Sequence, residues 1–241
     1  MKKYTSAALL ALKLTWKMVL LTFALTLGLQ ILDGFRELMP GGIPLQVAFG
    51  FENLLRSAAQ PAGKWWIVML LAFLTVSAGR SKGSKSVYTM NRLGLGEIHM
   101  TLIFGLVFTG YFLLYWVFQL AVCYGFFVWY SRCSLVSSNT FMLAVWRSEW
   151  LHILLPLNEW WAYLRNLAIC GSFGFSAAFG SQLLRRGKFP VGSLVPPLLC
   201  LAMLNGRIVN VGLDLALTVL LIVFTIGYYF VLKGGRADED L

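Results

Sequence analysis

Charged residues are scarce in this chain, at 12% of 241 residues, with ten acidic residues against twenty basic ones. A soluble domain usually carries about twice that charged fraction, roughly 25%, so the composition argues against a soluble protein. It also argues against ion-coupled transport, because a proton relay or cation site within a membrane requires ionisable side chains there.

Histidine and cysteine are too few and too scattered to build a catalytic or metal site. The two histidines, His99 and His152, fall on opposite sides of the membrane in the topology that the basic residues indicate. Neither an H-E-x-x-H helix nor a G-x-S-x-G elbow is present. The cysteines lack zinc-site pairs and disulfide-scaffold spacing, which favours small buried hydrophobes: Cys123, Cys133, Cys170 and Cys200. We expect no metal site, no catalytic residues and no enzyme activity in this chain.

Apolar residues are abundant, at 59% of the chain, with a mean hydropathy of +0.74. A membrane-spanning helix needs about 20 mainly apolar residues, so six spans would occupy most of the length. The sequence predicts an all-α polytopic membrane protein, with residues 1–241 as a single transmembrane domain. Its six predicted spans are Lys17 to Leu32, Lys64 to Ala78, Met100 to Tyr130, Ala162 to Leu184, Val191 to Leu204 and Val211 to Leu232.

The amino-terminal residues resemble a signal peptide only superficially. Lys13 and Lys17 interrupt the apolar run, and no small-residue cleavage pattern follows before Asp33. The two lysines are four residues apart and share one helix face. We therefore predict an interfacial elbow helix over residues 1–16 that leads into the first span.

The basic residues predict the orientation, because Lys and Arg near span ends are retained on the cytoplasmic side. They place both termini in the cytoplasm and the chain in the plasma membrane. The net charge of +10 then follows from topology and from attraction to anionic membrane lipid, so nucleic acid need not be a partner. Residues 33–63 and 131–161 become outer segments, in which we expect short helices along the outer surface.

Two residue patterns inside the predicted spans are structural in character. Ser172, Ser176 and Gly180 recur every four residues, which predicts a stripe where another helix can approach closely. Asp214 is the acidic candidate within a span, and its depth favours an interfacial or capping residue.

The segment Gly79-Arg-Ser-Lys-Gly-Ser84-Lys85-Ser86 comes within one residue of the phosphate-binding pattern G-x-x-x-x-G-K-S. Ser84 stands where the second glycine is needed, and a membrane span precedes the segment where a β-strand should be. We therefore expect this chain to bind no nucleotide and no other cofactor.

The inner connection over residues 79–99 is polar and basic but carries apolar residues at helical spacing, among them Val87 and Met90. A short cytoplasmic helix there can press an apolar ridge into a partner's groove. The alternative is a solvated loop that only helps to set the orientation.

This connection resembles the coupling helix of the permease subunits of type-2 ABC exporters, particularly short six-span members from Gram-positive bacteria. The similarity lies in Ser86-Val-Tyr-Thr-Met-Asn-Arg-Leu-Gly-Leu95, in the outer segment Phe141 to Leu157, and in Arg185-Arg186-Gly-Lys188 after the fourth span. Asn91 departs from the basic residue that many relatives carry. The resemblance implies a homo- or heterodimer of permeases joined to two cytoplasmic ATPase subunits, which bind ATP and Mg. It implies that the ATPase contacts are Lys85, Tyr88, Met90, Asn91, Arg92, Leu93 and Glu97.

The fifth predicted span is interrupted by Pro190, Gly192, Pro196 and Pro197, which deny it a continuous hydrogen-bond ladder. Type-2 exporters similarly have an interrupted fifth segment near an outer gate. Here the gate would consist of Pro196, Pro197 and the turn residues Asn205 and Gly206. An ordinary proline-kinked helix is the alternative.

These features together predict an export permease that moves an amphipathic peptide, drug or lipid-like molecule, with energy from the ATPase partner. The alternative is a non-transporting membrane scaffold or immunity protein. The scarcity of charged residues within the spans is equally compatible with that function. A lipid-modifying enzyme is the weakest reading, because no acidic pair or nucleophile–base arrangement lies at either interface.

Overall fold

The computed structural model describes residues 2–38, 51–79, 92–133, 141–157, 159–204 and 211–234. These residues are helical and include no strand, which confirms the all-α prediction for this part of the chain. The helices are α1 (Lys2–Leu38), α2 (Phe51–Leu54), α3 (Gln60–Gly79), α4 (Glu97–Cys133), α5 (Phe141–Arg147), α6 (Glu149–Leu154), α7 (Trp160–Arg185), α8 (Val195–Met203) and α9 (Val211–Gly234). A π-helical turn, Leu55–Ala59, joins α2 to α3, and a 3₁₀ turn, Gly192–Leu194, precedes α8.

Four helical stretches are long and apolar enough to cross a membrane: Lys3–Arg36, Leu55–Gly79, Glu97–Arg132 and Trp160–Arg185. Their exposed side chains are largely apolar, for example Leu114 and Val117 on α4, as lipid contact requires. The chain is therefore an integral membrane protein by the length and composition of these helices. The count of six spans is not confirmed, since α8 has only nine residues.

The boundaries of the central helices agree well with the sequence. Helix α4 extends the third predicted span by three residues at each end, and α7 extends the fourth by two residues at its start and one at its end. At about 1.5 Å per residue, the 37 residues of α4 exceed the thickness of a bilayer core.

The separate interfacial helix expected over residues 1–16 is not confirmed. Helix α1 is continuous, with no boundary near residue 16. Small residues at four-residue spacing, Ala7, Ala11 and Thr15, are buried along one face, and the hydroxyls of Thr15 and Tyr111 lie 3.3 Å apart. Small side chains allow this close helix packing, so the amino-terminal part of α1 packs along α4.

Helix α7 is the central helix, in contact with α3, α4, α8 and α9. A Cβ atom added at Gly174 would overlap the backbone of Thr109 on α4, and one at Gly180 would lie 2.9 Å from Thr75 Cγ2 on α3. Ser172 and Ser176 are buried. The predicted small-residue stripe is thus confirmed as a surface of close helix contact.

Residue contacts fix the directions of the helices. Thr15 pairs with Tyr111 and Gln30 with Gln119, so α1 and α4 are parallel. Thr101 of α4 bonds Gln182 of α7, whereas Thr109 packs on Gly174, so these two helices are antiparallel.

Helix α9 runs parallel to α7, because the Arg165–Asp214 and Ser172–Thr225 contacts advance together along both helices. Because α7 ends at one end of the bundle and α9 begins at the other, the chain between Arg185 and Val211, which includes α8, returns from one end to the other.

The helix bundle has two ends, which we name after a residue at each. The Lys3 end is where α1 and α4 begin and α3 and α7 end; there, Lys3 Nζ lies beside Gly94. The Asp214 end is where α3, α7 and α9 begin.

Candidate functional site

The predicted ATPase contacts are only partly covered by the described residues. Lys85, Tyr88, Met90 and Asn91 lie outside them. Arg92 is exposed, as an intermolecular contact requires. Leu93, by contrast, is half-buried and packs against the hydrophobic core of its own chain.

Glu97 takes part in a polar contact between α4 and α7. Its Oε2 accepts hydrogen bonds from Arg186 Nη2 at 2.6 Å and from Gln182 Nε2 at 3.3 Å. Gln182 Oε1 in turn accepts from the Thr101 hydroxyl at 2.7 Å. We call the set Glu97, Thr101, Gln182 and Arg186 the Lys3-end clamp.

The last turns of α7 also hold the end of α3. A Cβ atom at Gly79 would lie 2.8 Å from Leu184 Cβ, so the two helices are in direct contact there. Arg185 adds a half-buried cation beside the clamp, 5.3 Å from the ring centre of Phe104. Both ends of the connection over 80–96 are therefore anchored on the same turns of α7.

The predicted gate prolines do not kink a helix. Pro196 and Pro197 occupy the first turn of α8, immediately after the 3₁₀ turn Gly192–Leu194. Proline is well tolerated there because the first amide groups of a helix have no intrahelical acceptor. The structure thus shows a short helix that begins only at Val195. It does not show the proline-kinked span that was the alternative prediction. Asn205 and Gly206 lie outside the described residues.

An ion pair is buried at the Asp214 end. Arg165 Nη1 donates to Asp214 Oδ2 at 3.0 Å, and both side chains are almost fully buried. Asp214, for which the sequence favoured an interfacial or capping residue, lies in the first turn of α9, and its carboxylate points into the α7–α9 contact. The pair shows that the bundle holds more buried charge than the composition led us to expect.

The ion pair continues into a polar relay. Arg165 Nε donates to Asn166 Oδ1 at 3.4 Å, and Asn166 Nδ2 donates to the carbonyl of Ile153 at 2.8 Å. Asp214, Arg165 and Asn166 therefore link α9, α7 and the last turn of α6. We call these three side chains and the Ile153 carbonyl the Asp214-end relay.

The sequence predicts short helices along the outer surface in segment 131–161, but α6 does not lie on the surface. All five residues from Trp150 to Leu154 are buried. The Trp116 indole of α4 donates to the Leu154 carbonyl at 3.0 Å, and Ser148 caps the helix by accepting from the Leu151 amide at 3.4 Å. Trp116 and Ser148 thus pair backbone groups at the two ends of α6 that have no partner within the helix itself. Helix α5 exposes two large apolar side chains, Met142 and Trp146.

A second polar contact at this end involves the π-helical turn. Gln30 Nε2 of α1 donates to the Ala59 carbonyl at 3.0 Å and to Gln119 Oε1 of α4 at 2.8 Å. Tyr115 donates to the Gly63 carbonyl at 3.1 Å. Such turns are rare and are found frequently at functional sites.

The sequence contained a signal for the buried ion pair that the prediction did not use. Arg165 stands inside the fourth predicted span, three residues after its start. Asp214 stands at a similar distance from the start of the sixth span, and opposite charges at one depth of parallel helices indicate a pair.

Comparison with known proteins gives no relative. No protein-family model, no curated protein and no solved structure matches this chain.

Proposed function

We propose that this chain is the membrane-spanning permease subunit of an ATP-driven exporter, which moves an amphipathic peptide, drug or lipid-like molecule. A separate cytoplasmic ATPase subunit binds ATP and Mg, and a second permease subunit completes the membrane part. In this proposal α8 and α9 complete six spans with α1, α3, α4 and α7, and the Lys3 end faces the cytoplasm from the plasma membrane.

The observation that carries the proposal is the anchoring of the connection over 80–96. Gly79 at its start packs on Leu184, and Glu97 at its end pairs with Arg186. A force on this connection would therefore reach the last turns of α7 from two sides. Because α7 contacts α3, α4, α8 and α9, a movement there can be transmitted through the bundle, as coupling to an external ATPase demands.

Charge at the Lys3 end supports the orientation. Lys3, Arg92, Arg186 and Lys188 lie on helices or turns at this end. Basic residues of this kind are retained in the cytoplasm and interact with anionic lipid. The buried Arg165–Asp214 pair does not favour an ion-coupled pump, because the guanidinium already neutralises the carboxylate.

The test combines purification and transport. The tagged full-length chain, isolated from its native membrane, should bring down an ATPase subunit, and the reconstituted complex should export a fluorescent amphipathic peptide only when ATP is supplied. Arg92→Glu together with Tyr88→Ala should weaken ATPase binding about tenfold, a change of about 1.4 kcal/mol in binding free energy.

Lys188→Glu provides the matched control, because Lys188 is an exposed basic residue at the same end but outside the connection. Unchanged ATPase binding and transport in the Arg92 and Tyr88 variant would refute the coupling role. Partner binding without ATP-dependent export would support the scaffold alternative instead.

A further inference from the structure

Helix α6 occupies an unusual place for a segment between two long helices. It is only six residues long, it is almost wholly buried, and three long helices hold it. Trp150 packs so closely on α3 that a Cβ atom at Gly63 would lie 2.8 Å from its Cζ2. Trp116 of α4 and Asn166 of α7 bond its last two carbonyls.

Cys123 of α4 lies beside this helix. Its side chain is fully buried, one helical turn after Gln119. Gln119 Oε1 and Trp150 Cζ2 lie 3.0 and 2.8 Å from a Cβ atom built at Gly63, so α6 packs beside this part of α4. Displacement of α6 would therefore uncover Cys123. Cys170 on α7 is also buried, but it belongs to the α7–α8 contact, where Cys200 is its neighbour.

The relay connects α6 to the last helix of the bundle. Asp214 sits in the first turn of α9. Among the described residues its Oδ1 has no hydrogen-bond partner, and Arg165 holds the carboxylate through Oδ2. Arg165 also orients the Asn166 amide, which is the donor to Ile153. A shift of α9 relative to α7 would move the guanidinium and, with it, the amide that fixes α6.

We propose that α6 is a plug that closes the transport path at the Asp214 end, and that Arg165 and Asn166 are positioning residues through which α9 holds it in place. The transport path rests on the proposed export function. The coupling between α9 and α6 does not, because it is a property of the isolated chain.

The chemistry of the relay predicts how it fails. Asp214→Asn removes the charge that holds Arg165, and a buried guanidinium without a counterion must seek other acceptors. The Asn166 Oδ1 and nearby carbonyls are within its reach, so the amide no longer points steadily at Ile153. The last turn of α6 then has an unbonded buried carbonyl, which is costly in a membrane protein.

The experiment measures N-ethylmaleimide labelling of the full-length chain in detergent micelles, with each cysteine followed by mass-spectrometric peptide mapping. Asp214→Asn and Asn166→Leu should each raise the labelling rate of Cys123 about tenfold, equivalent to about 1.4 kcal/mol in the plug's opening equilibrium. Cys170 should keep its wild-type rate, and it serves as the internal standard for general loosening. Asp33→Asn is the control, since Asp33 is an exposed carboxylate paired with Arg36 on α1.

An unchanged Cys123 rate in both relay variants would overturn the proposal. If Cys123 and Cys170 rise together, the double variant Arg165→Met, Asp214→Leu decides, because it removes the charges without leaving one unpaired. Raised Cys123 labelling with a protected Cys170 in that variant supports the relay, and wild-type rates at both cysteines refute it. None of these measurements uses an ATPase, so a failure of ATP-dependent export leaves the relay result intact.

Discussion

Each end of the bundle is tied to α7 by an arginine–carboxylate pair, but the two pairs lie in different surroundings. At the Lys3 end, the side chains of Arg186 and Glu97 are 22% and 52% exposed. At the Asp214 end, those of Arg165 and Asp214 are only 8% and 3% exposed. An exposed pair contributes about 0–1 kcal/mol and weakens with salt. Removing one partner of a buried pair costs about 3–5 kcal/mol.

The difference suits a protein that receives force at one end and stays closed at the other. The Arg186–Glu97 pair of the Lys3-end clamp can break and re-form at little cost, because both side chains reach water. The Asp214-end relay resists small perturbations, since neither charge can separate into water. A partner acting at the Lys3 end can therefore move helices there without first opening the far end.

The largest effect should come from removing one charge of the buried pair. Asp214→Leu leaves Arg165 buried without its counterion and should lower the free energy of unfolding by about 3–5 kcal/mol, measured by SDS titration in mixed micelles. Adding Arg165→Met should recover most of the loss, because apolar side chains of similar volume pack well in place of a buried pair. A single variant as stable as the wild type would remove the contrast between the two ends.

The next largest loss of stability is expected at the α4–α7 contact, which runs between the two ends and which we call the α4–α7 seam. Gly174→Ala would push a methyl group into the Thr109 backbone of α4, and overpacking of this kind costs about 1–3 kcal/mol. Gly171→Ala is the matched control, because no atom of the described residues lies within 4 Å of its added Cβ. Equal stability of the two variants in the same titration would show that the α4–α7 seam is not tightly packed.

A smaller effect is expected at the start of α6. Ser148→Ala removes the side-chain acceptor for the Leu151 amide, and loss of such a cap costs about 1 kcal/mol. Ser131→Ala is the comparison, since Ser131 is exposed and its hydroxyl donates to the Val128 carbonyl of its own helix. A loss of stability as large as that of Asp214→Leu would place the main anchor of α6 at its first turn.

The smallest change should follow Glu97→Gln. The amide can still accept from Gln182, and the lost ion pair with Arg186 is partly exposed. The free energy of unfolding should fall by less than about 1 kcal/mol, and by less still at high salt. A salt-independent loss of several kcal/mol would make the two ends alike and would remove the argument for a weak clamp.

The sequence predicted the long helices well, since a continuous apolar run identifies a span by its length alone. Residues 100–130 and 162–184 became α4 and α7 with small extensions. The stripe of Ser172, Ser176 and Gly180 was also correct, because a four-residue repeat of small side chains depends only on helix geometry.

Contacts between distant segments could not be obtained in the same way. Arg165 and Asp214 are 49 residues apart, and only the direction of α9 relative to α7 brings them together. Helix α6 contains Glu149 and His152, so its composition resembled that of a surface helix. Its burial depends on partners from three other helices, which no local pattern records. Arg92, Leu93 and Glu97 adjoin residues that the structure does not describe, and their contact with an ATPase stays a prediction.

The π-helical turn at Leu55–Ala59 has a consequence for chain length. Its closing bond runs from the Gln60 amide to the Leu55 carbonyl, one residue further than in an α-helix. A π-helical turn accommodates one residue more than an α-helical turn, so deleting one residue here would restore a regular α-helix while Phe51 and Leu54 keep facing the core in which they are buried. Among homologues, a one-residue gap at this turn would therefore disturb the packing less than the same gap within α3, where each lost residue turns the rest of the helix by about 100°.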